Sequence, residues 1–204
     1  SVQDMGSRYK FVPLVGGHLA DGFSVAEDLK GLFRKYGAPL FIKRDNGSNL
    51  NHAAVDELFA QELVIPLNSP PYYPKYNGGI ERAQRELKEW IGEYEPKTVR
   101  EARILAVTAV HELNHKKRLC LQGKRSCEVF RENPGRTYSR RQRKEVCDWI
   151  SNRMMGIIEE GGGRLSVRVA WRIAVETWLR QHGFVTISNR PNVLPGSLNK
   201  MTHN

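Results

Sequence analysis

The sequence predicts an α/β fold in residues 1 to 130 and a smaller, mostly helical region in residues 131 to 204. In the first region, short apolar runs typical of buried strands alternate with apolar residues at helical spacing. The second region reads as two helices, over 139 to 160 and 164 to 183, followed by a short hairpin. With 204 residues, 40% of them hydrophobic, the chain can bury one sizeable core and a small second one.

The first 15 residues predict the end of one strand, a turn over residues 4 to 7, and a further strand from about Tyr9 to Val15. Asp4 suits the turn because its short side chain can bond to nearby backbone groups. Asp21 then stands beside Gly22 at the expected start of a helix, where an aspartate commonly serves as the N-cap.

A helix and a strand lead from there to Asp45. Gly37 and Pro39 end the helix, and residues 40 to 42 read as a buried strand. The helix itself is marked by apolar residues at helical spacing: Ala26, Leu29, Leu32, Phe33 and Tyr36. Asp45 should therefore lie just past the carboxyl end of a strand, where open α/β sheets place their ligands.

A second helix is predicted from His52 to Glu62, and a short strand near Leu63 to Leu67. Residues 68 to 79 contain three prolines and two glycines. Proline and glycine disfavour regular structure, so this stretch is predicted to be an irregular, mobile loop.

The helix predicted from Gly79 to about Trp90 has an apolar stripe and a charged face. Glu81, Arg85 and Lys88 recur at positions i, i+4 and i+7 on the charged face. Two interpretations are open: an i, i+4 ion pair that only supports the helix, or a functional face that combines a carboxylate with two cations.

Two segments resemble a known family. They are FIKRDNGSNL (41 to 50) and SPPYYPKYNGGIERAQRELKEWI (69 to 91), with 35 residues between Asp45 and Glu81. Their spacing, the Asn-Gly after the aspartate and the Asn-Gly-Gly-Ile before the glutamate resemble the DDE core of retroviral integrases and bacterial transposases. The resemblance covers about residues 1 to 130 and implies a ribonuclease H-like mixed sheet with flanking helices.

The resemblance implies nicking and joining of DNA by a recombinase that assembles as a homo-oligomer on DNA. Two divalent ions, Mg²⁺ or Mn²⁺, would stabilise the attacking and leaving oxygens, and carboxylate oxygens are their preferred ligands. It assigns Asp45 and Glu81 as catalytic residues and metal ligands. It also implies DNA contacts by Lys75, Arg82, Arg85 and Lys88, and support roles for Asn46, Gly47, Asn77 and Gly78.

The family's first aspartate lies on the opening strand of its sheet, and this chain has only 44 residues before Asp45. We therefore expect a catalytic core that lacks the first strand or strands, is N-terminally truncated, and is inactive by itself. Asp4 and Asp21 are weaker candidates for the third ligand, as a turn residue and a helix cap. The alternative function is a truncated or decayed relative that binds DNA without catalysis.

The net charge of +10 and the pI near 9.7 favour a polyanionic partner. Residues 131 to 204 hold 13 Lys and Arg against 6 Asp and Glu, so most of the excess lies there. Within it, Arg140, Arg141, Arg143 and Lys144 are candidate phosphate contacts. This region is predicted to bind DNA, with protein contact or bracing of the core as the alternative.

Other function classes are disfavoured. The longest apolar run, residues 104 to 110, is too short to span a membrane, so we expect a soluble intracellular protein of the bacterial cytoplasm or nucleoid. The three cysteines form no metal-type pair. HELNH, residues 111 to 115, matches the zinc metalloprotease pattern, but no convincing third ligand follows it.

Overall fold

A computed structural model describes residues 1 to 71, 74 to 132 and 138 to 185, and the side chains of residues 74 and 75 are not part of that description. The chain divides into two compact units, Ser1–Asp148 and Trp149–Asn204. The functional boundary predicted near residue 131 stays a prediction. No helix within the described ranges is long and apolar enough to cross a membrane.

The first unit contains a small parallel sheet with helices around it. Helix α1 spans Gly22–Tyr36, strand β1 Phe41–Arg44, helix α2 Ala53–Glu62 and strand β2 Ile65–Asn68. The two strands pair in parallel, from Phe41 opposite Ile65 to Arg44 opposite Asn68. This β-α-β unit confirms the predicted α/β class. The sheet of the described residues has two strands, so the larger mixed sheet is not shown.

Local signals account for both ends of α1. The Asp21 carboxylate accepts a hydrogen bond from the Ser24 N–H at 2.7 Å, as predicted for an N-cap. Gly37 follows the last residue of α1 with φ of 85°, a conformation that glycine adopts without strain. Helices α1 and α2 pack through one buried apolar cluster, which consists of Ala26, Leu29, Val55, Leu58, Phe59 and Val64.

The strand predicted from Tyr9 to Val15 is wrong. The turn over residues 4 to 7 forms, with the Ser7 N–H donating to the Asp4 carboxylate at 2.7 Å, but it is followed only by an isolated antiparallel bridge between Gln3 and Lys10. The Asn114 side chain accepts a hydrogen bond from the Lys10 N–H and donates one to the Lys10 C=O, both at 2.8 Å. Backbone groups that bond to a side chain are not available to a neighbouring strand.

The prediction of an irregular loop over residues 68 to 79 is also wrong for most of its length. Strand β2 continues to Asn68, a 3₁₀ turn spans Pro74–Asn77, and helix α3 spans Gly78–Gly92. Proline is compatible with the first position of a helical turn because no N–H is needed there. Residues 72 and 73 lie outside the described part, so the predicted mobility stays a prediction.

After α3, the described part of the first unit is mostly helical. Helix α4 spans Val99–His115, α5 Ser126–Glu132, and α6, which continues into the second unit, Arg140–Glu160; a 3₁₀ turn covers Leu119–Leu121. Helices α3 and α4 pack through Leu87, Ala109, Val110 and Leu113, with Trp90 and Ile91 beside them. All three cysteines are free.

The second unit contains the end of α6 and helix α7, Val167–Gln181, which confirms the two predicted helices. Gly162 and Gly163 have φ of 59° and 73° in the connection between them. Helix α7 is capped by Ser166, whose hydroxyl accepts from the Val169 N–H. The hairpin predicted after it falls almost entirely on residues outside the described ranges.

Candidate active site

Asp45 is exposed and directly follows the last residue of β1, as the sequence predicted. Its Oδ1 accepts a hydrogen bond from the Gly47 N–H at 2.8 Å. The Asn51 amide donates to the carbonyl oxygens of Asp45 and Gly47 at 3.0 and 2.9 Å. These bonds close the turn after β1 and fix one carboxylate oxygen of Asp45.

The Arg44 side chain holds this turn in place. It is buried, and its guanidinium donates to the Leu50 carbonyl at 2.7 Å and forms an ion pair with Asp56 at 2.7 Å. A further bond joins it to the Asn68 side chain at 2.6 Å. Arg44 therefore holds the turn against the two strands rather than facing solvent.

Gly47 has a steric reason to be glycine. A Cβ atom at this position would lie 3.0 Å from Asp45 Oδ1 and 3.0 Å from Asn49 Oδ1. Asn46, to which the resemblance assigns a support role, donates its amide to the Ser69 carbonyl at 3.1 Å. The group that bonds to the Asp45 carboxylate is the N–H of Gly47.

Ser69 links the two segments that carry Asp45 and Glu81. Its side chain is buried, and its Oγ lies 3.0 Å from the Arg44 carbonyl oxygen and 2.7 Å from Asn77 Oδ1. Its N–H also donates to the Arg44 carbonyl at 2.9 Å. Since Arg44 precedes Asp45 and Asn77 precedes α3, this link places the start of α3 beside the carboxyl end of β1.

Lys43 makes a second link between the same segments. Its ammonium group donates to the Tyr76 carbonyl and lies 3.9 Å from the centre of the Tyr76 ring. A strand residue is thereby attached to the 3₁₀ turn before α3. Both links hold the turn and the helix start in one position relative to β1.

Glu81 lies in the first turn of α3 and is exposed. Arg82, Arg85 and Lys88 are exposed on the same helix, and none of the ion pairs between described residues includes them or Glu81. The i, i+4 ion pair considered for Glu81 and Arg85 is therefore not formed. Lys75 precedes the helix, but its side chain is outside the described part.

The two remaining support residues stand where α3 begins. Asn77 occupies the N-cap position and bonds to Ser69 instead of capping the helix with its side chain. Gly78 is the first residue of α3, and a Cβ there would meet nothing within 4 Å. A side chain is therefore sterically compatible with position 78, in contrast to position 47.

The basic residues at the start of α6 have different surroundings. Arg140 donates to the Gln61 carbonyl at 3.2 Å, Arg141 pairs with Glu145 at 2.9 Å, and Lys144 is exposed. Arg143 is buried, and its guanidinium donates to the carbonyls of Pro39, at 2.8 Å, and Ala38. The first three remain at the surface, whereas Arg143 attaches α6 to the segment before β1.

A network of charged residues beside α3 was not predicted from the sequence. Glu86 accepts from Lys10 Nζ at 2.7 Å and from both terminal nitrogens of Arg118 at 3.3 and 3.2 Å. Arg118 also donates to Ser126 and to the Leu113 carbonyl, each at 3.0 Å. Burial raises the pKa of Glu86, but Lys10 and Arg118 outweigh it and hold the pKa below its usual value.

The residues predicted to hold a divalent cation are Asp45 and Glu81. Their carboxylate oxygens would suit Mg²⁺, which commonly keeps several waters beside one or two carboxylates. Within the described ranges, no group of three or more His, Cys, Asp and Glu side chains is arranged to hold a metal ion. The ligand roles of Asp45 and Glu81 therefore stay a prediction.

Comparisons with known proteins give partial alignments. No family model matches the chain. Over 90 residues it is 32% identical to an IgE-binding protein of Mus musculus; this match covers 42% of the chain and only 16% of the mouse protein's length.

Two solved structures are similar to part of the chain. The catalytic core domain of BIV integrase aligns with 55% of this chain and 72% of its own, at 26% identity and a TM-score of 0.45. The simian T-cell lymphotropic virus intasome, in complex with PP2A regulatory subunit B56 gamma, aligns with 60% of this chain and 45% of its own, at 18% identity and a TM-score of 0.49.

Replacing Gly47 with alanine should weaken Mn²⁺ binding at Asp45. The added methyl group would lie only 3.0 Å from Asp45 Oδ1, so the carboxylate would have to move. The stability cost should be about 1 kcal/mol, the centre of the range for point mutations. Gly78→Ala is the matched control, since the added methyl group there meets no neighbour. Equal Mn²⁺ affinities of the two variants would show that the close contact has no role in positioning Asp45.

Proposed function

We propose that this chain is part of a DNA recombinase that nicks and joins DNA in a reaction that depends on Mg²⁺ or Mn²⁺. The observation that carries the proposal is the Ser69 link, which connects the residue before Asp45 to the residue before α3. Asp45 is one residue from one end of this link, and Glu81 is four residues from the other. The link connects the two segments that carry these carboxylates, and this supports a shared site.

The chain's own residues prepare this site for phosphoryl transfer. Divalent ions bound there would stabilise the attacking and leaving oxygens of an in-line displacement. Gly47 fixes one oxygen of Asp45 and leaves the other accessible, while the first turn of α3 holds Glu81. Preorganised ligands of this kind need little rearrangement when the substrate arrives.

The exposed cations of α3 would hold the DNA backbone beside these carboxylates. Arg82, Arg85 and Lys88 lie within two turns of Glu81, and no ion pair between described residues occupies them. Unpaired cations next to a phosphodiester site favour binding by charge neutralisation and counterion release. We include Lys75, whose position before the helix is compatible with the same role.

The start of α6 supplies a second candidate DNA contact. Arg140, Arg141 and Lys144 belong to the part of the chain that carries most of the positive charge. Arg143 is kept as a structural residue because its guanidinium is already bonded to backbone carbonyls. The C-terminal region as a DNA-binding element, assembly as a homo-oligomer on DNA and a place in the bacterial nucleoid remain parts of the proposal.

One observation favours the second candidate, a relative that binds DNA without catalysis. Among the described residues, no cluster of three or more potential metal-binding side chains includes Asp45 or Glu81. A site with one ligand fewer holds two divalent ions poorly, yet the cations of α3 and α6 would still contact phosphates. Binding and catalysis must therefore be measured separately.

Changing Arg85 and Lys88 together to glutamate should weaken DNA binding and reduce its salt dependence. If each contacts one phosphate, the slope of log K against log salt should fall by about 1.8, or about 0.9 for each lost contact. Stability should change little because exposed charges contribute little to it. Titration of fluorescent duplex DNA at several salt concentrations measures the slope.

The control makes the same charge change elsewhere in the first unit, at Lys97 and Arg100, which are also exposed. It should lower affinity only through the general loss of positive charge. Equal slopes for the two double variants would show that α3 does not contact DNA. Its cations would then be ordinary surface residues of a helix.

A further inference from the structure

The two histidines of HELNH have no part in the proposed recombinase site. His111 and His115 lie one turn apart near the end of α4, and both are exposed. The metalloprotease interpretation of this motif requires the intervening glutamate to act as a base. Glu112 instead accepts a hydrogen bond from the Trp90 indole N–H at 3.0 Å, which leaves the two imidazoles as the chemically available groups.

The imidazoles are close enough to bind one ion together. Their ring centres are 4.2 Å apart, with an angle of 32° between the ring planes. Zinc binds histidine nitrogen at about 2.0 to 2.1 Å in tetrahedral geometry, so two nitrogens on one ion lie about 3.3 Å apart. Both side chains are exposed, so each can rotate until one nitrogen of each ring faces the same ion.

The structure also defines which nitrogen of His115 is available. Its Nδ1 lies 2.7 Å from the carbonyl oxygen of His111. A carbonyl oxygen only accepts, so Nδ1 carries the proton and Nε2 keeps its lone pair. Histidines that bind metals commonly donate their other ring nitrogen to a backbone carbonyl in this way.

The surroundings select the type of ion. His115 is the last residue of α4, where the unpaired carbonyls carry partial negative charge, while Lys116 and Lys117 follow and oppose simple attraction of a cation. Imidazole ligands favour Zn²⁺, Cu²⁺ and Ni²⁺, and carboxylates favour Mg²⁺. This position therefore differs in ligand chemistry from Asp45 and Glu81.

We infer that His111 and His115 form a two-histidine chelating site for a divalent transition metal of the zinc type on the exposed face of α4. The described residues supply no third side-chain ligand, so water completes the coordination. The site is a surface chelate without a general base. It adds a metal-binding property that is independent of the recombinase reaction.

The test is competition for Zn²⁺ between the full chain, free of any affinity tag, and a chromophoric chelator. His111→Gln and His115→Gln should each weaken binding about 10- to 100-fold, because the second nitrogen of a chelate binds at high effective concentration. The double variant should bind no more weakly than either single variant. His18→Gln, at another exposed histidine, and Glu112→Gln should both retain wild-type affinity.

Wild-type Zn²⁺ affinity in either histidine variant would overturn the inference, as would an equal loss in Glu112→Gln. A measurement on the unmodified chain avoids any question of misfolding in the variants. In NMR spectra, substoichiometric Zn²⁺ should shift the imidazole signals of His111 and His115, and a tenfold excess of Mg²⁺ should not reverse the shift. Zinc-induced shifts confined to the other histidines would exclude this site.

Discussion

Replacing Glu86 with glutamine should lower the free energy of unfolding by about 3 kcal/mol, because it removes the negative partner of the buried Lys10 and leaves that charge uncompensated. Lys10 is 4% exposed and Arg118 is half-buried, and both donate to the Glu86 carboxylate. Glutamine keeps the size of the side chain and removes its charge. Urea denaturation measures the difference.

The pH dependence of the free energy of unfolding tests the same prediction in a second way. The pKa of Glu86 is lower in the folded chain than its ordinary value of 4.5. Its stabilising contribution should therefore be complete above pH 4.5 and decline as the pH falls through the lower folded-state value. The stability difference between the wild-type chain and Glu86→Gln should shrink in that acidic range.

Glu89→Gln is the matched control, since Glu89 is exposed on the same helix. Its effect should stay within about 0.5 kcal/mol, as is usual for surface substitutions. Similar stabilities of the two variants at neutral pH would mean that solvent screens the Glu86 network and that it contributes little to the fold.

The largest effect on activity is expected at Asp45 and Glu81. In a protein extended upstream of Ser1 by a strand that bears a third carboxylate, Asp45→Asn and Glu81→Gln should each reduce strand transfer at least about 100-fold. Metal ions contribute several kcal/mol to transition-state stabilisation, and each 1.36 kcal/mol corresponds to a tenfold rate change. Joining of labelled DNA ends in the presence of Mg²⁺ measures the rate.

DNA affinity should be nearly unchanged in these two variants, because the proposed DNA contacts are made by cations. Glu89→Gln again serves as the control and should retain the activity of the extended protein. Full strand transfer by Glu81→Gln would exclude the DDE assignment. The relative that only binds DNA predicts instead that the extended protein itself is inactive while its DNA affinity is normal.

The elements with local signals could be predicted from the sequence. The cap at Asp21, the stop at Gly37 and the apolar runs of β1 and β2 are properties of neighbouring residues, and the structure places these elements within a few residues of the prediction. The prediction of a strand over residues 9 to 15 was wrong for a non-local reason. Lys10 bonds to Asn114, which is 104 residues away in the chain.

In the candidate site, too, some residues could be predicted from local patterns and others could not. Asp45 and Glu81 were recognised from a motif, and their places at the end of β1 and the start of α3 follow from local patterns. Ser69 was missed because a serine before two prolines looks like part of a loop, and its role depends on Arg44 and Asn77. Glu86 was missed because its burial requires Lys10 and Arg118, which come from distant segments.

The central claim is that Asp45 and Glu81 belong to one divalent-metal site. Paramagnetic relaxation of water protons by Mn²⁺ measures binding to the chain, its Asp45→Asn and Glu81→Gln variants and the double variant. We predict weak binding by the wild-type chain, a similar loss in each single variant, and no further loss in the double variant, because residues that share one interaction are not additive. Wild-type affinity in either single variant, or losses that add fully in the double variant, would contradict a shared site.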